Sequence, residues 1–159
     1  VKEIAKYEGP VYLRLARIAV PEIYEENAKF EIGKGIQFGT GTKATIFATG
    51  VTVKEALDAK KELKEKDIDI RVVDIHTIKP IDKDLIIKCA KETERIITVE
   101  DHSIIGGLGS VVCEVLAENY PKKVTRMGIE DTFGRSGKAE SLMKYFRIDK
   151  DAIVEEILK

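Results

Sequence analysis

The chain has 159 residues, enough for one domain with a core of its own and a short appendage. Its 27 basic and 28 acidic side chains nearly cancel, leaving no net field to draw in nucleic acid or an anionic membrane. No apolar run approaches the ~18 residues that cross a bilayer, and the absence of tryptophan argues against a base-stacking or carbohydrate platform.

No secretory leader is expected. Its two cysteines, Cys89 and Cys113, lack metal-ligand spacing and fall on the apolar sides of predicted helices. Reduced, buried thiols and a cytoplasmic location are therefore expected. The chain begins at Val1 and first reaches a methionine at Met127, so it reads as a processed chain or a piece of something longer.

The opening VKEIAKYEGPVYLRLARIAVP reads as a helix end, then Gly9-Pro10, then a strand over 11–16. A lone helix tail and strand cannot bury themselves, so residues 1–20 are expected to close a preceding domain. Residues 21–43 form a polar connector with glycines at 33, 35, 39 and 41, whose spacing fails the G-x-G-x-x-G pattern. A short strand is expected near 36–38.

From Ala44 the pattern is regular. ATIFAT (44–49) is a short apolar run consistent with a strand buried on both faces. Thr52 and Glu55 have capping-box spacing before a helix reaching about Lys66. IDIRVVDI (68–75) is the next strand. Asp82 is placed to cap a helix carrying Leu85, Ile86, Cys89 and Ala90 on one face. RIITVE (95–100) is a third strand. Leu108, Val111, Val112, Val115 and Leu116 then recur at helical spacing, until Asn119-Tyr120-Pro121 stops the helix. KVTRMGI (123–129) is a fourth strand, and helices follow around 138–146 and 150–158. IDKD occurs at 81–84 and 148–151, each time as a predicted N-cap with acid favouring the helix dipole. Strands alternating with helices from 44 to 129 imply right-handed crossovers. The predicted class is α/β, a three-layer αβα sandwich with a mostly parallel sheet.

VEDHSIIGGLGS (99–110) is the stretch where chemistry is to be sought. A strand, a Gly-Gly-x-Gly turn and a helix together make an anion site, because helix N-termini point free amides outward. Here the dinucleotide fingerprint breaks at Val112. Glu100 and Asp101 stand where a phosphate would approach, with no Lys or Arg between Arg95 and Lys122. Phosphate binding at residues 106–109 is therefore not expected. Glu100, Asp101 and His102 also fail as an acid–base set, since successive strand residues point to opposite faces. Asp101 and His102 remain able to meet as a pair. His76 sits at the end of the preceding strand, but two histidines without a placed acid or cysteine do not make a metal set. The expected catalytic, cofactor-binding and metal-binding residues in this chain are none.

Several strings resemble the transketolase family, in order and over nearly the whole length. GPVYLRLARIAVP (9–21) is similar to the closing strand of the family's pyrimidine-binding domain. GTKATIFATG (41–50), VVDIHTIKPID (72–82) and VEDHSIIGGLGSVVCEVLAE (99–118) resemble the successive strands and glycine turn of its C-terminal domain. GIEDTFGRSG (128–137) resembles the family's F-G-x-S-G ending, whereas deoxyxylulose-phosphate synthases and 2-oxo-acid dehydrogenase β subunits, which share the earlier strings, generally differ there. The glycine turn departs from the commonest single-chain transketolases and looks more like those encoded as separate N- and C-terminal sections.

The resemblance implies two-carbon ketol transfer from a ketose phosphate to an aldose phosphate, with thiamine diphosphate and a divalent metal such as Mg bound outside this chain. It implies residues 1–20 as the end of a pyrimidine-binding domain, 21–43 as a connector and 44–159 as the C-terminal domain. An N-terminal section is the implied partner, in a homo-oligomer, and the chain alone is expected to be inactive. In the family an arginine leaving the closing strand contacts the substrate phosphate; LARIAVP puts it at Arg17, where a planar fork suits a dianion. The alternative for Arg17 is a surface pair with Glu22 or Glu25. Arg14 is a second candidate, on the opposite face of a strand. Asp101, His102, Phe133 and Arg135 are the interface candidates, with core packing the alternative for Phe133. A partner-binding module with no part in turnover is the competing reading of another class.

Overall fold

The computed structural model describes all of residues 1–159. Its five strands are β1 (Ile36–Phe38), β2 (Ala44–Ala48), β3 (Arg71–Asp74), β4 (Arg95–Ser103) and β5 (Val124–Ile129). The helices are α1 (Thr52–Lys64), α2 (Lys83–Glu92), α3 (Leu108–Asn119), α4 (Ala139–Tyr145) and α5 (Lys150–Leu158). The strands form one sheet in the order β1-β3-β2-β4-β5, parallel except for β1, which runs antiparallel to β3.

Strand alternation divides the core into two layers. Ala44, Ile46 and Ala48 of β2, with Val72, Ile97 and Val99, face α1 and α5 and meet Ala56, Leu63, Ile153 and Ile157. Phe47, Val73 and Ile96 point the other way, onto Ile86 and Cys89 of α2 and Val112 and Leu116 of α3. Every residue of β2 is buried, as a central parallel strand covered on both faces requires. The predicted αβα sandwich is the observed fold, and β1 lies where the connector was expected to carry a strand.

Both IDKD strings cap helices. Asp82 accepts from the Leu85 amide at 3.1 Å, and Asp149 accepts from the Ala152 amide at 3.2 Å. The capping box at Thr52 does not form. Thr52 is already the first helical residue, and its hydroxyl proton is shared between the carbonyls of Val99 (2.8 Å) and Thr49 (2.9 Å). Glu55 instead accepts from the Lys150 amide at 2.8 Å, joining α1 to the start of α5.

Residues 1–16 differ from expectation. The predicted helix end is one 3-10 turn, Ile4–Lys6, and residues 11–16 form no strand. A strand needs a neighbour to complete its hydrogen bonds, and no strand lies beside this segment. The inference that Arg14 and Arg17 occupy opposite faces of a strand falls with it.

Candidate functional site

In an open α/β sheet, ligands favour the carboxyl edge where strand order reverses. Here that point lies between β2 and β4. It is closed by the chain itself: the Thr52 hydroxyl reaches the Val99 carbonyl across the gap, and Gly50 turns beside it with φ +60°.

The glycine turn is closed too, by Glu100. Alternation along β4 puts Glu100 on the same side as Ile96 and Thr98, the side covered by α3. Its side chain is 1% exposed, and its two oxygens accept from the first amides of α3, Leu108 at 2.7 Å and Gly109 at 2.8 Å. A helix N-terminus carries unpaired amides and positive potential, so an anion belongs there; this chain supplies its own. The glycines serve this contact. A Cβ at Gly107 would land on the Glu100 carboxylate, and one at Gly109 would come within 2.8 Å of Thr98 Oγ1 and 2.9 Å of Arg126 Cδ. Glu100, expected only to repel an anion at this turn, is itself the group that occupies the amides. The available signal was its parity with Ile96 and Thr98.

Asp101 points away from α3. Between the pairs Val99–Met127 and Ser103–Ile129, β4 advances four residues while β5 advances two, which makes a bulge. The bulge lets neighbours that a flat strand would separate come together: Asp101 Oδ1 lies 3.0 Å from His102 Nδ1 and 3.7 Å from an Arg14 guanidinium nitrogen. The His102 contact lies off the N–H direction, so it is a close charge–ring approach rather than a hydrogen bond.

A second cluster sits at the end of β3. Tyr24, in the connector, donates its hydroxyl to the buried carboxylate of Asp74. The Tyr24 ring meets Phe30 edge-on at 4.8 Å and Phe38 at 5.7 Å between centroids, and Phe30 in turn meets His76 at 5.4 Å. Burial pushes the Asp74 carboxyl above the usual carboxylate range, opposed in part by the Tyr24 hydrogen bond and the neighbouring His76. Burial, with the adjacent Asp74, also raises the Tyr24 phenol, so the hydroxyl remains the donor. His76 is engaged with Thr77 at 2.9 Å.

The remaining candidates are outward-facing. Arg17 is exposed and forms no ion pair with Glu22 or Glu25. Phe133 is 99% exposed, which removes core packing as its role. Arg135 lies over the Tyr145 ring, 4.2 Å from its centroid. Cys89 is buried as expected, whereas Cys113 is only half-buried; both are free thiols. No helix is long and apolar enough to cross a membrane.

A family model described as the transketolase C-terminal domain matches residues 33–153. The chain belongs to that transketolase family. A Methanocaldococcus jannaschii protein, provisionally assigned as a transketolase C-terminal section, is 49% identical over all of this chain and half of its own length. One subunit of an apulose-4-phosphate transketolase from Phocaeicola vulgatus is 43% identical, again over the whole chain and 51% of the relative. A solved structure described as a split-gene transketolase, inactive beta4 tetramer, superposes with a TM-score of 0.93 at 41% identity, covering 99% of this chain and 52% of that one. The chain thus spans about half the length of the transketolase relatives it matches.

Thiamine diphosphate, the cofactor implied by that family, does not fit the residues present. The amides that would cradle a diphosphate are occupied by Glu100. No group of three or more His, Cys, Asp or Glu side chains is placed to hold a metal ion.

Proposed function

We propose that this chain is the C-terminal portion of a split transketolase, an assembly and orientation element for two-carbon ketol transfer from a ketose phosphate to an aldose phosphate. The observation that carries the reading is similarity over the whole of this chain, and about half of each relative, to proteins named as a separate transketolase section or subunit, at 49% and 43% identity. The partner is an N-terminal section, which binds thiamine diphosphate and its divalent metal. The cofactor supplies the carbanion chemistry. The present chain supplies position.

In this reading residues 1–20 end a pyrimidine-binding domain, 21–43 connect it, and 44–159 form the C-terminal domain, in the cytoplasm. Arg17 holds the substrate phosphate through paired, charge-assisted hydrogen bonds. Its free, exposed guanidinium is consistent with a ligand as its partner. Asp101, His102, Phe133 and Arg135 face other domains or a second copy in a homo-oligomer. The full exposure of Phe133 supports this, because a phenyl ring in water is stabilised by any apolar cover.

The test is reconstitution. The chain, with the residues that complete its section, is mixed with the N-terminal section, thiamine diphosphate and Mg, and ketol transfer is followed. Activity should require both sections. Arg17→Ala should raise KM for phosphorylated sugars with little change in kcat. Unchanged kinetics in that variant would remove Arg17 from the phosphate site.

A further inference from the structure

Arg17 lies in a segment without regular structure, yet the chain on either side of it is fastened. Three residues before it, Arg14 approaches the Asp101 carboxylate at 3.7 Å. Seven residues after it, Tyr24 donates to Asp74. Both carboxylates stand at carboxyl ends of sheet strands, Asp74 closing β3 and Asp101 near the end of β4. Both fasteners reach far along the chain, across 87 residues for Arg14–Asp101 and 50 for Tyr24–Asp74.

The two differ in kind. Asp74 is 6% exposed and its tyrosine is ringed by Phe30 and Phe38, so this is a packed anchor. Ile23 beside it packs against the core layer of α1 and α5. The Arg14–Asp101 pair is open, with side chains 50% and 29% exposed, and fixes direction more than it adds stability. A segment held at one end swings about that point; held at both, its middle is confined to an arc. Arg17 is in that middle.

We infer that Asp74 and Asp101 are positioning residues for Arg17, pinning the chain on both sides so that its guanidinium is presented from the carboxyl edge of the sheet toward the substrate phosphate. The inference rests on the assignment of Arg17 above. It gives the C-terminal domain a specific part in substrate recognition, since residues of that domain set the location of a group that belongs to the preceding one. The bulge in β4 gains a purpose as well, because it turns Asp101 to where Arg14 can reach it.

The experiment is a double-mutant cycle in the reconstituted assembly, using a phosphorylated acceptor sugar and the same sugar without phosphate. Tyr24→Phe and Asp101→Asn are each expected to raise KM for the phosphorylated sugar about three- to five-fold, as expected for loss of one modest polar contact. kcat and the kinetics of the unphosphorylated sugar should not change, and Asp101→Glu should restore most of the loss. In an Arg17→Ala background neither substitution should have a further effect, because the group they place is gone. Additive effects in that background would overturn the inference while leaving Arg17 at the phosphate. A silent Arg17→Ala would overturn the phosphate contact itself and the pinning with it. Trypsin cleavage after Arg17, followed by mass spectrometry, gives a reading independent of turnover. Tyr24→Phe should speed that cut relative to cuts within residues 44–159, and an unchanged ratio counts against the anchor.

Discussion

Every residue of β2 is buried, whereas Tyr12 is 89% exposed and Leu15 74% exposed, with Val11, Leu13, Ile18 and Val20 also in contact with solvent. Both stretches are apolar, and a strand was expected in each, over 44–49 and over 11–16. The difference lies in their neighbours. β2 has β3 on one edge, β4 on the other and a helical layer on each face, so its amides and its side chains are all satisfied. Residues 11–20 have only the two pins. Apolar character predicts that a segment seeks cover, and the fold decides whether this chain supplies it.

The same contrast holds for charge. In the domain body an anion site exists and is filled from within by Glu100; upstream, Arg17 has no partner of its own. On the proposed reading, stability belongs to the body, and recognition to Arg17 in the upstream segment. Substitutions in the core of the body should be felt by folding, and those at Arg17 and its two pins by kinetics.

The largest effect on folding is expected at the α3 terminus. Glu100→Ala leaves two buried amides without an acceptor and should cost about 3 kcal/mol in chemical denaturation. Gly107→Ala, which displaces the same carboxylate, should approach that figure; a neutral result at both would mean that the cap contributes little. Next comes Thr52→Val. It keeps the shape but removes the hydroxyl bridging β2 and β4, and should cost about 1–2 kcal/mol by the same measurement. Asp82→Ala and Asp149→Ala should each cost about 1 kcal/mol as lost N-caps, additively, since they cap different helices.

The smallest effect is electrostatic and on the surface. Hydrogen bonds from Lys150 and Lys66 hold Glu62 below its ordinary 4.5, at about 2. A carboxylate depressed on folding stabilises the native state above its unfolded pKa, and that contribution disappears as pH falls through the folded value. The loss should run from about pH 4.5 down to about pH 2, shrink in high salt, and be absent in Glu62→Gln, as read by thermal melting across that range.

Much of the body could be read before folding. The helical spacing of Leu108, Val112, Val115 and Leu116 and the paired caps at Asp82 and Asp149 are local signals, and local signals survive. What escaped notice depends on contacts between distant residues. Thr52 looks like an N-cap until the Val99 carbonyl is placed beside it, 47 residues away. Glu100 looks like an obstacle to an anion until the turn brings it back over α3 as the anion. The Tyr24–Asp74 anchor spans 50 residues and has no motif. The strand expected over 11–16 failed for a related reason: a strand's pattern can be local, but its partner is not.

The decisive assay is ketol transfer by the purified chain, first alone with thiamine diphosphate, Mg and sugar phosphates, then with the N-terminal section added. No turnover is expected from the chain alone, and turnover is expected on mixing once the section is complete. Turnover by the isolated chain would refute the division of labour proposed above, as would a completed mixture that remains inert.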